Sequence, residues 1–292
     1  MSETTPSTPA GAPIDNPRMR EWSYENDQWT KLPSYLKHLP LFTQHHDLTS
    51  RLIRFIWSII LKNWFYTMYM RLEVRGGDFN QLYKDHKKLI IISNHASHLD
   101  ATSIAASIPR RHWFDLYIAA AKDYFFSNPV FTFFSQHCLG AIPIDRKDKK
   151  GEAVQLIITL LTELDRMWLI IFPEGTRSKD GKINEFKRGI SIFSEKTKTP
   201  ILFLYIDGNR RLWPKGAIFA RPGKLVVHIG PVQPPSNIEE VYANYLNWVK
   251  TIDPTVIPEH LIDENFDQST DLRDEDKNLQ ELTNEDEKDS QE

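Results

Sequence analysis

Short apolar runs alternating with longer amphipathic stretches fill the chain from Lys88 to Thr251, and no other property restricts its fold as much. Leu89-Ile90-Ile91-Ile92 is brief and wholly apolar, as a strand buried on both faces requires. Leu116-Tyr117-Ile118-Ala119-Ala120, the short extended Ala141-Ile142-Pro143-Ile144, Trp168-Leu169-Ile170-Ile171-Phe172, Ile201 to Ile206 and Leu225 to Ile229 repeat the pattern. Between them Ala101 to Ile108, Asp123 to Phe134 with an interruption at Pro129, Gly151 to Met167, Phe186 to Lys196 and Ile238 to Thr251 read as helices. In the third of these, Val154, Leu156, Ile157, Ile158, Leu160, Leu161 and Leu164 cover a broad apolar face. Such alternation predicts an α/β fold, a mostly parallel central sheet flanked by helices. In open sheets of this kind ligands bind beyond the carboxyl ends of the strands.

The 292 residues would permit two small domains, but both ends read as disordered and leave room for one α/β domain of moderate size. Met1 to Pro13 is rich in Ser, Thr and Pro, with neither an apolar core nor a basic start, so it is not expected to act as a secretory signal. Glu259 to Glu292 holds fourteen acidic against three basic residues, a charge of −11. The whole chain carries −3, so the remainder carries +8 and a basic body is joined to an acidic tail. The expected organisation is a disordered stretch over 1–20, a helical segment over 21–75, a folded domain over 76–255 and an acidic disordered tail over 256–292. A basic body suits anionic membranes, anionic substrates or nucleic acid. Cys138 is the only cysteine, which excludes an intrachain disulfide and a cysteine-based zinc site.

Leu48 to Met70 is apolar and aromatic but interrupted by Arg51, Arg54, Lys62 and Asn63. Its longest unbroken apolar stretch, Phe55 to Leu61, contains a serine and falls far short of the roughly 20 residues a spanning helix needs. Cations among Trp57, Trp64, Phe65, Tyr66 and Tyr69 fit an amphipathic helix lying in the headgroup layer, apolar side in the acyl region and cations towards anionic lipid. A helix packed on the domain is the alternative.

Chemistry concentrates after two of the predicted strands. In Asn94-His95-Ala96-Ser97-His98-Leu99-Asp100, an imidazole and a carboxylate stand five residues apart. Inside one α-helix that spacing, at about 100° per residue, would turn the two side chains roughly 140° apart. A contact therefore needs His95 in the loop and Asp100 in or near the first helical turn. There the carboxylate can accept the Nδ1 hydrogen bond and leave Nε2 free to take a proton from a substrate hydroxyl. The plainer reading makes Asp100 a helix N-cap and His95 a loop residue. A metal held by His95, His98 and Asp100 is a further reading, though no metal is expected, because this spacing is not an established ligand pattern.

Phe172-Pro173-Glu174-Gly175-Thr176-Arg177-Ser178 adds an acid, a glycine that lets backbone approach a ligand, a hydroxyl and a guanidinium. Arg177 can grip a phosphate in bidentate fashion, and amides near Gly175 can face an anion. The plainer alternative is a strand-ending turn with a surface arginine. Ile144-Asp145-Arg146 offers a second guanidinium, with a surface ion pair as its alternative.

These segments together resemble the glycerolipid acyltransferases that include 1-acylglycerol-3-phosphate acyltransferase. Asn94-His95 through Asp100 looks like the family's NHxxxxD block, Gly140-Ala141-Ile142-Pro143-Ile144-Asp145-Arg146 its second, and Phe172 to Ser178 its third. Thr199-Pro200-Ile201-Leu202-Phe203 resembles the fourth, with Phe203 where many members have a second proline. The blocks keep the family's order across about Arg71 to Pro231, which marks the folded domain as an acyltransferase domain.

The resemblance implies transfer of a fatty acyl group from acyl-CoA or acyl-ACP to the free hydroxyl of 1-acylglycerol-3-phosphate, giving phosphatidic acid. His95 is then the general base, oriented by Asp100, and Arg146, Glu174, Gly175, Thr176 and Arg177, with Lys122, surround the glycerophosphate. A thioester is already activated, so no cofactor is implied beyond the acyl donor as co-substrate. The partners implied are a lysophospholipid acceptor, the acyl donor and a membrane surface, with no nucleic acid, on a monotopic enzyme whose active site faces the cytoplasm. Other readings are an acyltransferase for another lysophospholipid and a non-catalytic lipid-binding protein of the same fold.

Overall fold

The computed structural model describes residues 48–121, 133–144 and 152–259. Helix α1 (Leu48–Ile59) runs on as a π-helical segment (Ile60–Tyr69), then come strand β1 (Met70–Arg75), helix α2 (Phe79–Asp85), strand β2 (Lys88–Ser93) and helix α3 (Asp100–Ser107). Strand β3 (Leu116–Ala121), a π-helical turn (Phe134–Cys138), strand β4 (Ala141–Ile144), helix α4 (Glu152–Glu163) and strand β5 (Met167–Ile171) follow. Helix α5 (Gly189–Thr197), strand β6 (Ile201–Asp207), the one-turn helix α6 (Asn209–Leu212), strand β7 (Gly223–Gln233) and helix α7 (Ile238–Lys250) complete the series. The expected stretch 1–20, the acidic tail beyond Glu259, Lys122, and Asp145 with Arg146 lie outside the described residues.

The seven strands form one sheet in the order β1-β7-β6-β2-β5-β3-β4. From β6 to β4 all neighbours are parallel. β7 is antiparallel to β6 and parallel to β1, so these two edge-side strands run against the other five. Strand alternation explains why the central runs are wholly apolar. Ile90, Ile92, Leu169, Ile171, Ile201 and Phe203 pack on one face with Leu156, Leu160, Val241 and Tyr245 of α4 and α7. Leu89, Ile91, Trp168, Ile170, Leu202 and Leu204 pack on the other with Ile104, Leu61 and Tyr66.

Strand β1 and helix α2 were not anticipated, and they correct the domain boundary. Met70 to Arg75 falls in the stretch assigned to the interfacial segment, yet it pairs along its whole length with β7. Its sequence Met-Arg-Leu-Glu-Val-Arg alternates, and Glu73 of this edge strand is held by Arg75 and Lys224 at its surface. At the other end Ile257 is buried in the core and Val256 O accepts from Ile183 N–H, so the fold runs past residue 255.

The helical segment before β1 corrects a second expectation. Leu52, Phe55, Ile56, Ile59, Ile60, Trp64 and Met68 recur at helical spacing and are exposed, an uncharged apolar stripe. Two of its three cations turn inward instead of towards the surface. Arg54 is fully buried and Nη2 donates to Leu116 O at 2.5 Å, while Lys62 Nζ donates to Ile108 O at 2.7 Å. Burial first, then the Arg110 charge, push Lys62 down to about 8. The segment thus packs on the domain through Leu61 and Tyr66 together with Arg54 and Lys62, and leaves a separate apolar stripe exposed. Among the described residues no helix is long and apolar enough to cross a membrane.

Candidate active site

Three adjacent parallel strands, β6, β2 and β5, end at one rim, and the loops that leave them meet there. Asn94, first residue after β2, works as a side-chain extension of the ladder. Its Oδ1 accepts from Ile206 N–H at 2.8 Å and its Nδ2 donates to Ile206 O at 3.1 Å, while its own N–H donates to Tyr245 Oη at 2.9 Å. Tyr245 in turn donates to Leu204 O at 2.9 Å. The chain is therefore still registered on β6 where the loop begins.

His95 follows. Its Nδ1 lies 2.7 Å from Asp100 Oδ2, and its ring stacks on Phe172 with centroids 4.2 Å apart. Asp100 is the first residue of α3, so the contact forms at the loop-to-helix junction that the spacing requires. Asp100 does not cap its helix. The side chain folds back, with Oδ2 also accepting from Ala96 N–H at 2.8 Å and Ser97 N–H at 2.9 Å, and Oδ1 accepting from Asn209 Nδ2 at 2.8 Å. The carboxylate is fully buried and accepts from four donors, one of them the imidazole, whose proton therefore sits on Nδ1 and leaves Nε2 as an acceptor. His95 keeps 22% of its side chain exposed, and Nε2 makes no hydrogen bond to any described residue.

The third block locks onto this loop through the backbone. Glu174 Oε1 accepts from His95 N–H at 2.7 Å, and Ser178 N–H donates to His95 O at 2.7 Å. Glu174 Oε2 accepts from Asn184 N–H at 3.0 Å and Asn184 Nδ2 at 2.6 Å. Burial lifts the Glu174 pKa to about 7, outweighing the Asn184 and His95 hydrogen bonds that pull it down. Glu174, expected among the groups around the glycerophosphate, is buried, and through these contacts it braces the imidazole loop. Among the amides near Gly175 that are expected to face an anion, the Gly175 N–H itself donates to Phe172 O at 3.1 Å. Glycine is needed there because φ is +66° and a Cβ would meet Lys187 Cε at 2.9 Å.

Thr176 is exposed on the rim, and Arg177 beside it is half-buried. Arg177 lays its guanidinium against His98, with Nη1 2.7 Å from Nδ1. Burial, then the Arg177 charge, push His98 below the usual imidazole value, so it meets this cation as a neutral ring. Turned towards Arg177 and Trp213, His98 does not join His95 and Asp100 in a metal cluster, and among the described residues no three such side chains converge. Asn209, Asn184 and Tyr245 were not anticipated. Asn209 had a signal, because it follows β6 and so falls on the same rim.

A loop-borne imidazole tethered to a buried carboxylate, with a guanidinium one strand away, can take a proton from a hydroxyl held beside an anionic group. Over residues 71–207 the chain matches the family model described as Acyltransferase. Its relatives include the 1-acyl-sn-glycerol-3-phosphate acyltransferase of Cocos nucifera, 26% identical over 194 residues, which cover 64% of this chain and 58% of that protein. Another, from Limnanthes alba, is 29% identical over 55% of this chain and 53% of its own. The chain thus spans little more than half the length of these relatives. The crystal structure of the 1-acyl-sn-glycerophosphate acyltransferase PlsC from Thermotoga maritima shares the fold, with a TM-score of 0.55 and 24% identity over 72% of this chain and 84% of that one.

Proposed function

We propose that this protein transfers a fatty acyl group from the thioester of acyl-CoA or acyl-ACP to the free hydroxyl of 1-acylglycerol-3-phosphate, yielding phosphatidic acid. The observation that carries the reading is His95, held by Asp100 through Nδ1 with Nε2 left free. Nε2 takes the hydroxyl proton as the oxygen attacks the thioester carbonyl. The resulting imidazolium is stabilised by the Asp100 carboxylate. Collapse of the tetrahedral intermediate breaks the C–S bond, the ester forms, and the proton passes to the departing thiolate. The pair resembles that of a serine hydrolase with the attacking hydroxyl supplied by the substrate. The match to the family model and the names of the relatives support the same reaction.

Arg177, with Lys122 and Arg146 in the stretches after β3 and β4, supplies the cations for the glycerophosphate, and Thr176 a hydroxyl at the rim. The chemistry calls for no cofactor beyond the donor, and the apolar stripe before β1 supports a monotopic attachment to the membrane that holds acceptor and product. His95→Ala is expected to lower turnover roughly 10²-fold or more while vesicle attachment persists, and near-normal turnover would sink the mechanism. A panel of lysolipids presented with both donors tests the acceptor: activity confined to acceptors bearing a headgroup would move the assignment to another lysophospholipid. Inhibition by a chelator would favour metal-dependent hydrolysis instead.

A further inference from the structure

Ile218 and Phe219 are 80% and 82% exposed, more than any other large apolar residues of the described chain, and they contribute nothing to either face of the core. They form the tip of a turn between α6 and β7 that is closed by its own hydrogen bonds. Ala217 N–H donates to Pro214 O at 3.1 Å, Trp213 Nε1 to Ala217 O at 2.9 Å, and Arg221 N–H to Leu212 O at 2.8 Å. A braced turn that spends two large apolar side chains on solvent marks an interaction surface.

Two neighbours say what it meets. On one side, Tyr69 Oη donates to Ala220 O at 2.6 Å, which joins the turn to the end of the helical segment whose apolar stripe ends at Met68. On the other, Ser97 Oγ donates to Trp213 O at 2.7 Å and a bridge links Ser97 to Pro214, so the turn is also tied to the loop between His95 and Asp100. Gly208 to Leu225 contains Arg210, Arg211, Lys215, Arg221 and Lys224 and no acid, and all five are exposed, with Lys215 and Arg221 next to the tip in the chain. Apolar side chains flanked in the chain by exposed cations, and joined to an apolar helix face, match an anionic bilayer, where rings and chains enter the acyl boundary and cations stay among headgroups.

We infer that Ile218 and Phe219 insert into an anionic lipid surface as a second contact beside the helical stripe, and that through Trp213, Pro214 and Ser97 this contact positions the loop bearing His95 at the bilayer. The inference rests on the membrane attachment proposed above and adds the site, the lipid charge and the link to the base.

The test uses the full chain, with vesicles of phosphatidylcholine alone and with phosphatidic acid added. In the Ile218→Ser/Phe219→Ser double variant, binding to the anionic vesicles is expected to weaken roughly 10-fold or more. Turnover of a vesicle-borne acceptor should fall with it, while turnover of a dispersed short-chain acceptor stays unchanged. A polarity-sensitive dye on Phe219→Cys should shift to the blue on anionic vesicles, Cys138 being buried. Vesicle binding by the original chain that the double variant retains in full, with an unshifted dye, overturns the inference and leaves the attachment through the stripe standing. Failure of the original chain to bind either vesicle defeats the attachment itself. A variant that changes only from dimer to monomer in sedimentation, its vesicle binding intact, assigns the tip to a second copy of the chain and also overturns the inference.

Discussion

Asp100→Asn isolates what the buried carboxylate does for His95. In the native site Oδ2 receives three donors, His95 Nδ1, Ala96 N–H and Ser97 N–H, and Oδ1 receives Asn209 Nδ2. An asparagine has one acceptor oxygen. Turned to the three-donor side, it keeps three bonds and opposes its amide nitrogen to Asn209 Nδ2, whose partner oxygen is already taken by Arg210 N–H. Turned the other way, it keeps one bond and points its own donors at two backbone N–H groups. The first orientation wins, so His95 retains the Nδ1–H tautomer and Nε2 can still accept a proton. What disappears is the negative charge beside the forming imidazolium, together with one buried hydrogen bond. We expect kcat to fall roughly 10²- to 10³-fold, about 3–4 kcal/mol in barrier, and stability to fall by about 1–3 kcal/mol. Adding Asn209→Asp places an acceptor opposite the new amide, which should restore stability but not rate, because the charge now lies beyond the residue that touches the imidazole. Thiol release from acyl-CoA with lysophosphatidate reads the rate, and urea unfolding reads stability. A kcat for Asp100→Asn within an order of magnitude of the original refutes the reasoning about charge. A double variant no more stable than the single one refutes the reasoning about orientation.

Glu174 carries a pH signature. With its pKa lifted by burial from 4.5 to about 7, the folded protein binds this proton more tightly than the unfolded chain, so stability should fall as pH rises through that window, by an amount on the order of 3 kcal/mol. Urea midpoints taken across the window should show this fall in the original and a flatter profile in Glu174→Gln, and identical profiles would contradict it. Gly140→Ala should cost about 2 kcal/mol or more, because φ is +61° and the new Cβ would run into Arg54 Nη1 and lie 2.9 Å from Leu116 O. Denaturant unfolding measures it, and a loss no larger than that of an ordinary surface substitution would mean that Arg54 yields freely.

Strand position and chemistry were legible in the residues where local pattern and tertiary environment agree. Leu89 to Ile92 and Trp168 to Phe172 are apolar throughout because both faces are covered, and the five-residue spacing of His95 and Asp100 admits a contact only at a helix start. What escaped was set by partners distant in the chain. Met70 to Arg75 reads as the end of the helical segment until β7 is beside it, and Arg54 looks like a headgroup ligand until Leu116 O is within reach. Glu174 illustrates the same limit at the site. Its residue type and position in the turn suit ligand binding, and only the donors brought in by His95 and Asn184 turn it inward.

The paired bonds from Glu174 and Ser178 to the two sides of the His95 peptide have a consequence for how such a site diversifies. Residues 175–177 hang between these two moorings like a short span between fixed piers. Changes in that span alter what faces the acceptor while the imidazole keeps its station, so recognition can be rewritten without recalibrating the base. Libraries aimed at new acceptors belong at Thr176 and Arg177, with Glu174 and Ser178 left untouched.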